Sequence, residues 1–387
     1  MTHSEQNHSH VAEFVSNLHL QPRQFHKNLT LWPLARDGSS GPTSASRFMS
    51  LAEALEAGTL VLDEVSDSGD VPHVRAHNHG EEAVLVLFGE EIEGALQNRV
   101  ANASFLVPAG SDVVIDVSCV ERGRWSRPGG QRFRHGGHVS SAALRRVMAG
   151  RVAESRRRGL RFQADQGEVW AEVEDRLEAS GTHSPSDAYA DYVASRSSDM
   201  GELAKAFHPV PGQVGFVAAI GDEVVGVECV GEPDLFARCF PHLLRSYTID
   251  AVDHAFLRSR RGEAPPPSFD APEEFLAAVA EAPFHTGPSL GAGQDVRIEG
   301  ERVAGCALAD DGIVHLMAFP QRRPVAPGEG ILDGETLGDA FAAELESQRL
   351  EGDDFRGEEL ETDGSFGQEA ELEVDDQAPA TGSRQRG

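Results

Sequence analysis

Glu90, Glu91, Gln97, Asn98, Arg99, Glu121 and Arg124 fall within one stretch, Gly89 to Trp125, which reads GEEIEGALQNRVANASFLVPAGSDVVIDVSCVERGRW. Glu90, Glu91 and Glu121 are of the type that moves protons in general acid–base catalysis or holds Mg2+ through oxygen. Gln97 and Asn98 offer amide donors and acceptors to a ribose, a base or another amide. Arg99 and Arg124 could clamp a phosphate, and Trp125 could stack on a base or close a sheet edge. Cys119 would be a nucleophile only if a neighbouring cation lowered its pKa. Its place after Ile115-Asp-Val117 in a strand favours a buried structural thiol.

The elements that must position these groups are two β-like runs, Ser104–Val107 and Val113–Val117, joined by a Pro-Ala-Gly-Ser turn. Paired as an antiparallel hairpin, they bring Glu90–Arg99 and Cys119–Trp125 to neighbouring ends of one sheet. Gly94, Pro108, Gly110 and Gly123 fit turn geometry. The competing reading of the whole constellation is a buried Glu–Gln–Asn–Arg network that pins the hairpin.

A second signal is metal-like. His77-x-His79 places two imidazoles on one strand face, with Glu82 three residues on and Gly89 beyond, like half of a cupin metal motif. The other half needs a His shortly after a Pro-x-Gly turn, and Pro108-Ala-Gly110 is followed by Ser111, Asp112 and Val113. A polar strand end entering a His-Asn-His-Gly turn is the better reading, and no metal ligand is assigned. The cofactor is left open, with Mg2+ on the carboxylates as the candidate.

Between Arg122 and Arg161 the composition inverts: twelve arginines, Arg132 and Arg134 among them, stand against one acid, Glu154. The chain as a whole carries a net charge of −29, with 63 acidic residues to 34 basic ones, of which only Lys27 and Lys205 are lysines. An acidic surface, scarce Lys and many small residues suit a cytoplasmic protein hydrated in molar salt. Part of the cluster falls on a Gly/Arg-rich loop, Ser126–His138. The rest falls on a helix capped by Ser140 or Ser141 and ended by Gly159, with Leu144, Val147, Met148 and Val152 as its buried stripe. At ~100° per residue, Arg145 projects within about 20° of Arg156, and Arg146 of Arg157. A positive patch in so acidic a chain points to an anion or an acidic surface. At ~1 M salt the Debye length is about 3 Å, so useful arginines must make direct bidentate contacts. Nucleic acid is the weaker partner, because only Phe133 and Phe162 interleave with the arginines.

The four cysteines, Cys119, Cys229, Cys239 and Cys306, form no C-x-x-C pair and suit a reducing compartment. No run approaches the ~18 apolar residues of a membrane span. Residues 1–26, with His3, His8, His10 and His19, are expected to form a disordered leader. Strands are expected at Leu29–Leu34 and Thr59–Val65, and a helix at Leu51–Ala57 behind a Ser50 cap. The middle, 126–212, should be helical over Gln166–Ala179, from Ser184-Pro185 through Tyr189–Val193, and over Met200–Phe207. Residues 213–320 should be mixed: a hairpin of Val214–Ile220 and Val224–Val230, helices at Asp234–Phe240 and His242–Leu257 divided at Pro241, a helix at Pro272–Glu281, and strands at Val296–Glu299, Val303–Leu308 and Ile313–Phe319. Residues 321–387, with 18 acids against Arg349 and Arg356 between Glu329 and Asp376, should be a solvating tail. The fold class is therefore α+β: a sheet-rich lobe at 27–125, a helical middle and a mixed C-terminal part.

Further residues carry a resemblance. Gly89-Glu90-Glu91, Gly94 and Gln97-Asn98-Arg99 continue through Leu106–Gly110, Val117–Glu121 and Gly123-Arg124-Trp125. Asp165-Gln166 before Trp170, Pro211–Gly215, Leu244-Arg245-Ser246-Tyr247, Gly305 and His315-Leu316 extend the match over roughly residues 27–320. In these the chain resembles the family of the ARG and rhodanese-phosphatase-superfamily-associated protein domain, in which ARG stands for ADP-ribosylglycohydrolase. The resemblance implies a role near ADP-ribose or NAD metabolism.

Two functions follow as expectations. In one, a phosphate-bearing nucleotide of the ADP-ribose or NAD type binds at Gly89–Trp125, where Glu90, Glu91 and Glu121 do polar chemistry and Arg99, Arg124, Arg132 and Arg134 hold the anion. These groups should then converge in one concave pocket. In the other, a non-catalytic module docks an acidic protein partner through Arg122–Arg161, and the same groups are dispersed or internally paired.

Overall fold

The computed structural model describes residues 3–36, 46–66, 69–126, 132–261, 269 and 271–321. The expected acidic tail lies outside these residues. The architecture is α+β.

Runs of small and β-branched residues without alternation signal strands buried on both faces, and Gln213–Ile220 and Ile313–Pro320 are buried at every position. They sit inside a nine-stranded sheet. Its spatial order is Leu18–Leu20, Leu29–Arg36, Gln213–Ile220, Glu223–Val230, Ile313–Pro320, Val303–Ala309, Gln294–Glu299 and Phe284–Pro288, with Gln24–His26 also paired to Leu29–Arg36. One face carries Val214, Val217 and Leu316 against the helices His3–Ser16 and Pro272–Glu281. The other carries Phe216, Met317 and Phe319 against the long helix Pro233–Arg261, and this core continues into the N-terminal lobe.

That lobe holds two smaller sheets. Phe105–Val107, Ala83–Val86 and Phe48–Ser50 make one, and the second runs Arg134–Val139, Glu90–Glu93, Arg99–Ala101, Ser111–Cys119, His73–Asn78, Leu60–Glu64. Three capped helices flank them. Leu51–Glu56 starts in a capping box formed by Ser50 and Glu53. Ser141 caps Ala142–Arg157, and Asp165 caps Gln166–Ser180, which ends on left-handed Gly181.

Several expectations are corrected. The Ser104–Val107 and Val113–Val117 runs do not form a hairpin. Phe105–Val107 pairs with Ala83–Val86, whereas Ser111–Cys119 pairs with His73–Asn78 and Arg99–Ala101, so the Pro-Ala-Gly-Ser turn passes the chain from one sheet to another. Within the expected disordered leader His3–Ser16 is a helix, because Val11, Phe14 and Val15 form an i, i+3, i+4 stripe that buries on the large sheet. Pro241 does not divide its helix, which runs unbroken through Pro233–Arg261. The proline removes one backbone donor and costs about 3 kcal/mol, a loss offset by burial of Phe236, Phe240, Leu243, Leu244 and Tyr247 on the same element. Likewise Tyr189–Ala204 is one helix rather than two. Arg134–Val139, expected in a loop, is a strand. No helix among the described residues is long and apolar enough to cross a membrane.

Candidate functional site

The predicted residues fall into two assemblies. The first is a clamp at the ends of the Arg99–Ala101 and Ser111–Cys119 strands, where the pairing of Arg99 with Cys119 sets Gln97–Asn98 beside Glu121. Glu121 accepts from Arg124 Nε at 2.8 Å and Nη2 at 2.6 Å, from the Asn98 N–H at 3.0 Å and from Ser186 Oγ at 2.8 Å. Arg124 also donates to the carbonyls of Ala95, Ser126 and Gly94 and to Asn98 Oδ1. Gln97 Nε2 donates to the Glu121 carbonyl at 2.9 Å, and Gln97 Oε1 accepts from Arg99 at 3.0 Å. The Glu121 carboxylate and the Arg124 guanidinium have thus spent their capacity on each other and on the chain. The arrangement is the internally paired network that the sequence also allowed.

Arg99 is fully buried, with Nε and Nη2 lacking hydrogen bonds, under the ring of Trp125, whose side is 48% exposed. Burial lowers the Arg99 pKa against the charges of Cys119 and Glu64. Burial pushes the Cys119 thiol up, so it is no ready nucleophile.

The second assembly lies one strand pair away. Glu90 and Glu91 sit on Glu90–Glu93, which pairs with Arg134–Val139. His135 faces Ile92 and Val139 faces Glu90, so four residue steps on one strand span two on the other, a bulge at Gly136-Gly137. A side chain on Gly136 would meet the Glu91 Cβ at 3.0 Å, and Gly137 has φ +81. The glycines let the bulge lie flat on Glu91 and turn two imidazoles toward two carboxylates.

Glu90 accepts from the Leu87 N–H and from His135 Nε2, both at 2.8 Å. The Gly137 N–H donates to His135 Nδ1 at 2.9 Å, which directs the ring's Nε2–H at Glu90. His138 is the opposite case. Its Nδ1 donates to the Gly136 carbonyl at 3.0 Å and its Nε2 stands 2.6 Å from Glu91 Oε2, so both ring nitrogens face acceptors. Burial disfavours the His138 cation but is outweighed by the Glu91 carboxylate and the Gly136 carbonyl, and its pKa is raised. The His138–Glu91 contact is close yet off-line for a hydrogen bond, and Glu91 makes no hydrogen bond within the fully buried space it occupies. Their attraction is therefore one of charge.

Glu93 pairs with the largely exposed Arg134. Burial and the neighbouring Glu91 push the Glu93 carboxyl up, and Arg134 opposes them. Arg132 is exposed at the mouth of this strand. Across from the bulge, Pro233–Arg261 contributes His242 and, one turn on, Arg245. The His242 ring packs edge-on against His135 at 4.6 Å, and its Nδ1 donates to the Gly137 carbonyl at 3.1 Å. Arg245 is partly buried, with Nη1 3.9 Å from where a Gly137 Cβ would stand, and its guanidinium forms no hydrogen bond or ion pair among the described residues.

Sequence reasoning singled out Glu90 and Glu91 but missed His135, His138, His242 and Arg245 as site residues. The available signal was His135-Gly-Gly-His138 following two acids at pairing distance. The three predicted acids do not converge: Glu121 belongs to the clamp, and both Glu90 oxygens are bonded. These residues do not fit a Mg2+ site. His77 bonds Asp112 at 2.8 Å and stacks 6.2 Å from His79, and no group of three or more His, Cys, Asp or Glu among the described residues is placed to hold a metal. Nor do the predicted residues line the depression of about 520 Å3 bordered by Lys27, Asn28, Asp199, Leu203 and His254.

The arginine cluster is largely paired with acids of the chain. Arg145 is buried against Glu228, while Arg151 and Arg158 meet Glu154, Arg157 meets Glu299 and Arg161 meets Asp116. Arg145 anchors a sealed chain: Glu228 also accepts from Tyr247 Oη and His315 Nε2, both at 2.9 Å, and His315 Nδ1 meets Ser104 Oγ at 2.8 Å.

Fold and site together define an α+β protein with two carboxylate–histidine pairs at a strand bulge. The family profile of the ARG and Rhodanese-Phosphatase-superfamily-associated Protein domain matches residues 17–319, and the chain belongs to that family. Searches of curated proteins and of solved structures returned no match.

Proposed function

We propose that this protein binds and processes a phosphate-bearing nucleotide of the ADP-ribose or NAD type at the bulged strand pair Glu90–Glu93 and Arg134–Val139. The observation that carries the reading is Arg245, a partly buried guanidinium with no acid of its own, set among His138, His242 and Gly137. A cation held this way in a chain of net charge −29 fits an anion supplied from outside. Arg132 and Arg134 are exposed at the start of the same strand, Arg134 beside Glu93. The family's association with ADP-ribosylglycohydrolase supports the choice of nucleotide. Docking of an acidic protein through Arg122–Arg161 draws less support, because most of those arginines already face acids of this chain. The composition supports a cytoplasmic setting at high salt, so binding belongs in molar KCl.

Thermal-shift titration with ADP-ribose, NAD and inorganic phosphate tests the reading. Ligand at 100 times its Kd adds about 2.7 kcal/mol of stability, and Arg245→Ala should abolish that gain while Arg124→Ala, in the clamp, should keep it. Absence of any shift in the wild type refutes the reading.

A further inference from the structure

Two imidazoles at the bulge, His135 and His138, have both ring nitrogens engaged, and a third, His242, does not. His135 uses Nδ1 on the Gly137 N–H and Nε2 on Glu90. His138 spends Nδ1 on the Gly136 carbonyl and Nε2 on Glu91. His242 donates Nδ1–H to the Gly137 carbonyl, an acceptor that cannot exchange roles, so Nε2 carries the lone pair of the neutral ring. No hydrogen bond reaches that nitrogen among the described residues, and it is not among the sealed polar atoms. Arg245 lies three residues along the same helix, on the same face.

We propose that His242 is the proton acceptor of this site, and that Arg245 holds a phosphate ester or anhydride against it. The inference rests on the nucleotide reading above and deepens it. A water beside the phosphorus loses a proton to Nε2: the O–H bond breaks and an N–H bond forms. The hydroxide oxygen bonds to phosphorus as the P–O bond to the leaving group breaks, and the proton passes from Nε2 to the leaving oxygen. Atoms and charge balance without a co-reactant.

The surroundings suit a base rather than an acid. His242 is flanked by His135 and the Gly137 carbonyl from the strand Arg134–Val139, by Glu90 from the adjoining strand, and by Arg245 on its own helix. Burial, then His135 and Arg245, lower its pKa against the Gly137 carbonyl and Glu90. The ring stays neutral near pH 7, as a base must. The ring is held by its edge-on contact with His135 and its bond to the Gly137 carbonyl.

The test uses the full chain with ADP-ribose as probe and AMP release as readout. Wild type should release AMP with a rate that falls as pH drops through the His242 pKa. His242→Asn should lose ~10²- to 10⁴-fold of the rate while keeping the ADP-ribose thermal shift. Imidazole 15N spectra of the unliganded protein should show His242 protonated at Nδ1, and ADP-ribose should move its Nε2 resonance. ADP-ribose binding without AMP release, a His242→Asn variant as fast as wild type, or a proton on Nε2 would each overturn the role of His242 and leave the binding reading standing. Failure of ADP-ribose to bind wild type would overturn both.

Discussion

Two regions of this molecule use the same residue types to different ends. In the interior, Arg145, Glu228, His315, Ser104 and Tyr247 form a chain of hydrogen bonds with every member at 3% exposure or less. Its Ser–His–Glu order matches the connectivity of a nucleophile with its base and orienting acid. No substrate reaches it, and Ser104 Oγ is further engaged by the Phe88 N–H at 2.9 Å. At the Gly136-Gly137 bulge, Glu, His and Arg are again neighbours, yet Arg245 lacks an acid and His242 keeps a lone pair. Residue type and spacing are shared by the two regions. Leftover hydrogen-bonding capacity at a reachable position is what sets the bulge apart.

The sealed region predicts the largest effect. Arg145→Met removes the guanidinium that bonds both Glu228 oxygens at 2.9 and 3.0 Å and leaves a carboxylate in a dry core. Loss of one partner of such a pair costs about 3–5 kcal/mol, measurable as a fall in the denaturation midpoint. A cost under about 1 kcal/mol would mean that water enters this core, and the contrast with the bulge would fail. Gly89 adds a check on the same packing, since its φ is +78 and a Cβ there would stand 2.5 Å from Arg145 Cδ. The Gly-Glu-Glu run thus begins with a residue set by the core and continues with two set by the bulge.

The clamp lies between these extremes. Arg124→Ala leaves Glu121 with Ser186 and the Asn98 N–H and frees the carbonyls of Ala95 and Ser126. We expect about 1–3 kcal/mol of destabilisation with ligand-induced shifts unchanged, because this arginine is a brace. Equilibrium denaturation with and without ADP-ribose separates the two quantities. A variant of full stability that no longer binds would move the site back to Gln97–Trp125.

Much of the fold was legible because burial writes itself into pattern. The unbroken apolar runs at Val214–Ile220 and Ile313–Phe319 read as strands, and Ser50 and Ser141 announced their helices. Pairing was not legible. The Pro108–Ser111 turn looks like a hairpin, but the partner of Phe105–Val107 begins at Ala83, and tertiary packing rather than the turn selects it. The candidate site's residues were unequally visible for the same reason. Glu90 and Glu91 stood out by type, whereas His135 and His138 were hidden in a Gly/Arg-rich segment whose strand character depends on pairing with Glu90–Glu93. His242 and Arg245 were hidden by a proline that suggested a helix boundary.

The smallest effect sharpens the contrast most, because the two regions should titrate in different windows. Burial disfavours the Glu228 carboxylate, but Arg145 and His315 outweigh it and lower its pKa. Its contribution is present above the ordinary Glu value near ~4.3 and is lost only as pH falls toward the lower folded value. His138 has a raised pKa, so its contribution is complete below the ordinary imidazole value of ~6.5 and fades as pH rises through the folded value. His242, with a lowered pKa, runs the other way: its contribution holds above ~6.5 and is lost as pH falls. Between about pH 5 and 9 the Glu228 carboxylate should therefore add no slope to the denaturation midpoint, whereas His138 and His242 should. His138→Gln should remove the decline on the alkaline side, and His242→Gln the decline on the acid side. A His138→Gln profile that declines above neutrality like wild type would show that His138 and Glu91 do not form the ion pair, leaving His242 and Arg245 as the bulge's distinguishing pair.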